Sequence, residues 1–154
     1  MVCIQRPFRK SESILKLRFE SQKDIDNELN VIKKICWDGT LYKKLGQHDL
    51  DFLVYELRNE KKIGLCFIEI KCYTKNHDDF PNTMVSCIKH RKMMKRSSQL
   101  PTYLFIQWKD KLVYINANNI QGEKRVGGRK IREGSSNDQE MMIFVPNEKF
   151  NVFE

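Results

Sequence analysis

The stretch KIGLCFIEIKCY at 62–73 constrains this chain more than any other. It is rich in aliphatic and aromatic residues that favour a pleated, covered surface, and its side chains alternate between two faces when extended. Cys66, Ile68, Ile70 and Cys72 then share one face, while Leu65, Phe67, Glu69, Lys71 and Tyr73 share the other. The first face is apolar throughout; the second is apolar at its start and charged from Glu69 onward. A strand wetted on one side would be polar along that whole side, so this one is central and covered on both faces. Its charges mark the mouth of a cleft.

The preceding run DFLVYEL at 51–57 is separated from it by the polar RNEK, the pattern of an antiparallel hairpin. Centring the turn on Glu60 pairs Leu57 with Ile63, and the same register sets Asp51 opposite Glu69 and Asp49 opposite Lys71. Directly opposed residues point to one face with side-chain bases roughly 5 Å apart, which is destabilising for like charges unless something positive lies between them. A divalent cation satisfies both acids. On the Asp51 face the next residues are Leu53 and Tyr55, so both strands turn polar at the same end. Asp49 is held in reserve as the second-choice acid.

Elsewhere the spacing of Ile25, Leu29, Ile32 and Cys36 predicts a helix within 12–34, with Ser21 as a start signal. A second helix is expected over about 82–98, basic at its far end. TYLFIQW and KLVYINA flank Lys109 and Asp110 as another hairpin, QGEKRVGGRKIREGSSNDQE reads as a charged mobile loop over 121–140, and MMIFV at 141–145 as a last short strand. The order is an α/β or α+β domain with a mixed sheet. The length of 154 residues suits one domain, 1–154, with its core at about 21–120.

A net charge of +8 and a pI near 9.3 favour a polyanionic partner, nucleic acid before anionic membrane. No apolar run approaches the roughly 20 residues a membrane span needs, and MVCIQRPFRK lacks the apolar core of a signal peptide, so the expected location is the cytosol. Cys3, Cys36, Cys66, Cys72 and Cys87 form no C-x-x-C and read as reduced, small hydrophobes. His48, His77 and His90 lack metal-site spacing. Tyr73 and Trp108 read as packing at a sheet edge, although either could stack on a base. GGRK at 127–130 lacks the spacing of a phosphate-binding loop. Lys89, Lys92 and Arg96 recur at helical spacing, where they could track a phosphate backbone.

Asp51 followed by Glu69-x-Lys71 at the end of the next strand resembles the PD-(D/E)xK nuclease superfamily, over roughly 21–120. The resemblance implies a restriction-endonuclease-like core, a mixed central sheet flanked by helices in the order helix, antiparallel strands, helix, strand hairpin. It implies Glu28 as a further acid on the first helix, and Ser86 and Lys89 as helix residues brought to the site, as in small phage-encoded or prokaryotic members. Leu50 stands where the name-giving pattern has proline. The function implied is Mg²⁺-dependent hydrolysis of DNA phosphodiesters, Mn²⁺ substituting, resolving branched or junction DNA or nicking it, in a homodimer, within the host cytoplasm if phage-encoded. The ligands would be Asp51, Glu69 and the Ile70 carbonyl. Lys71 would lie beside the attacking water, Glu28 would hold a metal water or second ion, and Lys89, with His90 nearby, would meet phosphate. RNA cleavage would use the same residues; a non-catalytic nucleic-acid-binding protein on this fold is the reading from another class.

Overall fold

The computed structural model describes residues 21–127 and 140–154. Helix α1 (Gln22–Ile35) starts at Ser21, whose hydroxyl accepts from the Asp24 N–H at 3.2 Å while the Asp24 carboxylate accepts from the Ser21 N–H at 3.1 Å. This reciprocal cap satisfies two donors that a helix start leaves open, and Lys33 and Lys34 in the last turn complement its other end. Of the predicted stripe Ile32 is buried, and with Val31 and Ile35 it packs on Phe52, Val54, Ile68 and Ile70, while Leu29 and Cys36 are partly buried against the same cluster.

Strands β1 (Leu41–Lys44), β2 (Phe52–Arg58), β3 (Lys61–Cys72), β5 (Thr102–Gln107), β6 (Leu112–Asn116) and β9 (Asn151–Val152) form one sheet in the order β1-β2-β3-β5-β6-β9. Only β3 and β5 run parallel, so the sheet is mixed, with α1 on one face. Helix α2 (Cys87–Ser97) and a second antiparallel sheet, β4 (Asn82–Ser86), β8 (Glu140–Pro146) and β7 (Glu123–Gly127), cover the other face. Phe67, Leu104, Ile106, Val113 and Ile115 are buried there against Val85, Met93, Ile143 and Val145. β3 is thus covered on both sides, as its composition requires.

Three expectations are corrected. The segment 82–86 is a strand: Thr83 and Val85 alternate inward, and Ser86 ends the alternation by capping α2. β1 was not anticipated. Within the expected loop at 121–140, Glu123–Gly127 is a strand whose residues are almost all exposed, extended because β8 supplies its partner. The N-terminal part of the first expected helix and residues 128–139 of that loop lie outside the described residues, as does Cys3. Cys36, Cys66, Cys72 and Cys87 are free thiols.

The hairpin register is reached by two departures that cancel. The turn is the two-residue Asn59–Glu60, both with positive φ, so Arg58 pairs with Lys61 and Glu56 with Ile63, one step from the expected pairing. A bulge then leaves Leu65 unpaired between Gly64, opposite Tyr55, and Cys66, opposite Val54. From there Leu53 pairs with Phe67 and Phe52 with Ile68, the expected register. Leu65 packs with the α1-facing core rather than beside Phe67, correcting its assigned face.

No helix among the described residues is long and apolar enough to cross a membrane.

Candidate active site

Glu69 sits on the α2-facing side of β3, 5 % exposed, one step past the last paired residues Phe52 and Ile68. Asp51, 8 % exposed, lies just before β2 at that same step. Its Oδ2 accepts the Ile70 N–H at 2.8 Å, so a side chain takes the place of the strand carbonyl that β2 no longer provides. Its own backbone carbonyl accepts the Leu45 N–H at 3.0 Å, which ties the start of β2 to the end of β1.

The charges around this pair are distributed unevenly. Lys44 Nζ reaches Glu28 Oε2 at 2.7 Å and Asp51 Oδ1 at 3.4 Å, joining an acid of α1 to an acid of the sheet. Lys89, from the first turn of α2, donates to Glu69 Oε1. Glu69 Oε2 is buried and, among the described residues, has no hydrogen-bond partner. Burial pushes the Glu69 carboxyl up to about 7, the Asp51 charge adds to this, and Lys89 offsets part of it. Burial pulls the Lys89 ammonium down, but the Glu69 carboxylate beside it more than compensates and its pKa is raised.

Lys71 shares the Glu69 face and is exposed, its Nζ 5.7 Å from the centre of the Tyr73 ring. Ile70 is buried in the α1-facing core, on the opposite face of β3 from Glu69, and its N–H is given to Asp51. The other nominated residues have structural engagements. The Ser86 hydroxyl accepts from the Lys89 N–H at 3.4 Å and donates to Glu140 at 3.0 Å, so it caps α2. His90 Nε2 lies 3.1 Å from the Ala117 carbonyl. Arg96 grips both oxygens of Asp49 and lies 4.8 Å over the Phe67 ring, while Lys92 stands near Asp49. The Arg96 hydrogen bond holds the Asp49 carboxyl below the usual carboxylate range. Asp49, the reserve acid, is therefore committed to α2, and Arg96 is turned from the helix surface toward the sheet.

Sequence reasoning missed Lys44. Its strand is four residues long, too short for a pattern, and its importance comes from where β1 lies beside β2. Among the described residues no group of three or more His, Cys, Asp or Glu side chains stands close enough to hold a metal. An ammonium, Lys44, bridges Glu28 and Asp51.

A family model described as "Phage putative PDDEXK endonuclease" matches residues 14–153, nearly the whole chain. The chain belongs to the phage PDDEXK endonuclease family. Among solved structures, a Holliday junction resolvase, Hjc, of Archaeoglobus fulgidus is similar at a TM-score of 0.45 and 8 % identity, covering 80 % of each chain. D212, a nuclease from a fusselovirus, is similar at 0.47 and 13 % identity, covering 97 % of this chain and 89 % of that one. No curated protein matches the chain.

Proposed function

We propose that this PDDEXK family member hydrolyses DNA phosphodiester bonds with a divalent cation, Mg²⁺ or Mn²⁺, held by Asp51, Glu69 and the Ile70 carbonyl. The observation that carries this reading is the Glu69 carboxylate, buried beside Asp51, with Oε2 unmatched by any donor among the described residues. An unsatisfied buried carboxylate oxygen is costly, and hard oxygen donors next to one another suit a hard cation. The donor set therefore fits such an ion. Bound there, the cation supplies positive charge to the scissile phosphate and acidifies the attacking water.

The chain's own residues do the rest. Glu69, pushed up to about 7, is readily protonated, and a neighbouring positive charge favours its ionised form. Lys71, exposed and two residues on, orients the water and contributes charge at the phosphate. Lys89 releases Glu69 and meets a phosphate oxygen, with Lys92 one turn beyond it on α2. Glu28 keeps Lys44 against Asp51 until the site is loaded and then holds a water or a second ion. Ser86 and Arg96 fix α2 and thereby the reach of Lys89.

The test is cleavage of linear, nicked, branched and single-stranded DNA and of RNA with Mg²⁺ or Mn²⁺, comparing the native chain with Glu69→Ala and Lys71→Ala. Loss of cutting in both variants supports the reading. Binding of every substrate without cutting overturns it in favour of a non-catalytic nucleic-acid-binding protein. A specific observation favours that second reading: Lys44 already places a positive charge between Glu28 and Asp51.

A further inference from the structure

Just past the end of β3, Tyr73 lines a cleft of about 410 Å³ whose other walls come from Trp108 after β5, from the β4-β8-β7 sheet and from the segment between β3 and β4. This volume lies within the ~300–1,000 Å³ usual for small-molecule sites. Tyr73 and Trp108 stack on each other at 4.5 Å between ring centres on one wall; Phe80, 47 % exposed, and Phe144 line other parts. Two cations stand over aromatic faces at its rim, Lys75 at 5.1 Å from the Phe80 ring and Arg125 at 3.9 Å from the Phe144 ring. Among the described residues no carboxylate lines the cleft, although Glu123 lies 3.5 Å from Arg125 outside it. Trp108 is 4 % exposed, and its indole N–H is buried with no acceptor among the described residues.

Aromatic walls and cationic rims together match one chemical class: a flat heterocycle attached to a phosphate. We infer that the cleft receives one unstacked nucleobase of the nucleic acid at the acidic site, with Lys75 and Arg125 on its flanking phosphates. This rests on the proposed function for the polymer and adds the substrate form, a strand with at least one unpaired nucleotide. The placement agrees. Tyr73 is four residues from Glu69 on the same face, about 13 Å along the strand. That is about four stacked steps of 3.4 Å, fewer if the strand is stretched. Lys71, between them, faces the Tyr73 ring and links the two sites.

The experiment uses the full chain in EDTA with a fluorescently labelled DNA duplex, either blunt or bearing a single-stranded extension that carries a fluorescent purine analogue. The native protein is expected to prefer the extended duplex and to quench the analogue by stacking. Phe80→Ala should weaken extended-duplex binding about tenfold, within the range of one base–aromatic stack, change blunt binding less than about twofold, and abolish quenching. Lys75→Glu, a rim change remote from the core, should show the same selectivity and serves if Phe80→Ala melts early. Equal loss on both substrates, or no quenching by the native chain, overturns the inference. Cleavage with Mg²⁺ is read in parallel on the same DNAs. Native chain that quenches but never cuts loses the nuclease reading and keeps the cleft. Cutting with Phe80→Ala and Lys75→Glu both like native in binding and quenching loses the cleft alone.

Discussion

Helix α2 carries two ion pairs about two turns apart, and they are built to opposite specifications. At its far end Arg96 holds Asp49 through both carboxylate oxygens, Nε to Oδ1 at 3.0 Å, and stacks over Phe67. Every strong acceptor is matched, and the Asp49 carboxyl is held low. At its start Lys89 engages one oxygen of Glu69 and leaves the other buried without a donor, beside a second carboxylate, with the carboxyl pushed up to about 7. The matched pair fastens the helix to the sheet. The unmatched pair leaves a buried carboxylate oxygen beside a second acid, the condition under which added positive charge is stabilising.

The sharpest way to break this contrast is to truncate each pair and assay cleavage. Glu69→Ala should lower the rate about a thousandfold, as expected for loss of a group stabilising transition-state charge, whereas Asp49→Ala should stay within about threefold of native. Comparable losses would erase the distinction. Lys71→Ala is expected to cost on the order of a hundredfold or more in rate with little change in DNA affinity, read from single-turnover kinetics against binding isotherms.

Stability against pH separates the pairs next. Unfolded, Glu69 titrates near 4.5; folded, near 7, so the native state binds the extra proton between these values. Its contribution therefore falls as pH rises from about 4.5 to 7, on the order of 3 kcal/mol in the metal-free protein. Glu69→Gln should flatten that slope and melt above the native chain at pH 8, measured in EDTA. A native melting curve with no such decline would remove the raised Glu69 carboxyl from the account. Asp49→Ala should instead cost about 1 kcal/mol, since both partners are partly exposed, and its cost should fade as acid protonates Asp49. The smallest effect expected is at Lys44: Lys44→Met removes the resident ammonium, so the rise in melting temperature on adding Mg²⁺ should be larger than in the native chain by a few degrees. An unchanged or smaller rise would mean that Lys44 and a cation do not compete for Asp51.

How much of this was written in the sequence depended on range. β3 declared itself because its two faces differ in composition along their length, and that feature also located Glu69. The alignment of Asp51 with Glu69 was legible for an accidental reason: the assumed turn was one residue off, and an unforeseen bulge at Leu65 restored the register. β4 was hidden inside a helical reading because five residues ending in a cap leave little room for alternation. β7 was hidden because EKRVG is almost all exposed and owes its shape to β8. Lys44 meets Glu28 across 16 positions and Arg96 meets Asp49 across 47, separations at which no spacing rule operates. The cleft was equally out of reach, since its walls come from positions just past β3 and β5, from the β4-β8-β7 sheet and from a connecting segment, although Tyr73 and Trp108 are each visible in the sequence as sheet-edge aromatics.

The unpaired Leu65 also bears on how such a chain can change without losing its chemistry. Because the bulge lies between the tight turn and the acidic end, a lengthened or shortened tip at Asn59–Glu60 meets a joint already able to take up a one-residue offset before the disturbance reaches Phe52 and Ile68. The outer half of the hairpin is thereby released to drift or take on new contacts, while the inner half stays aligned with its cargo of acids.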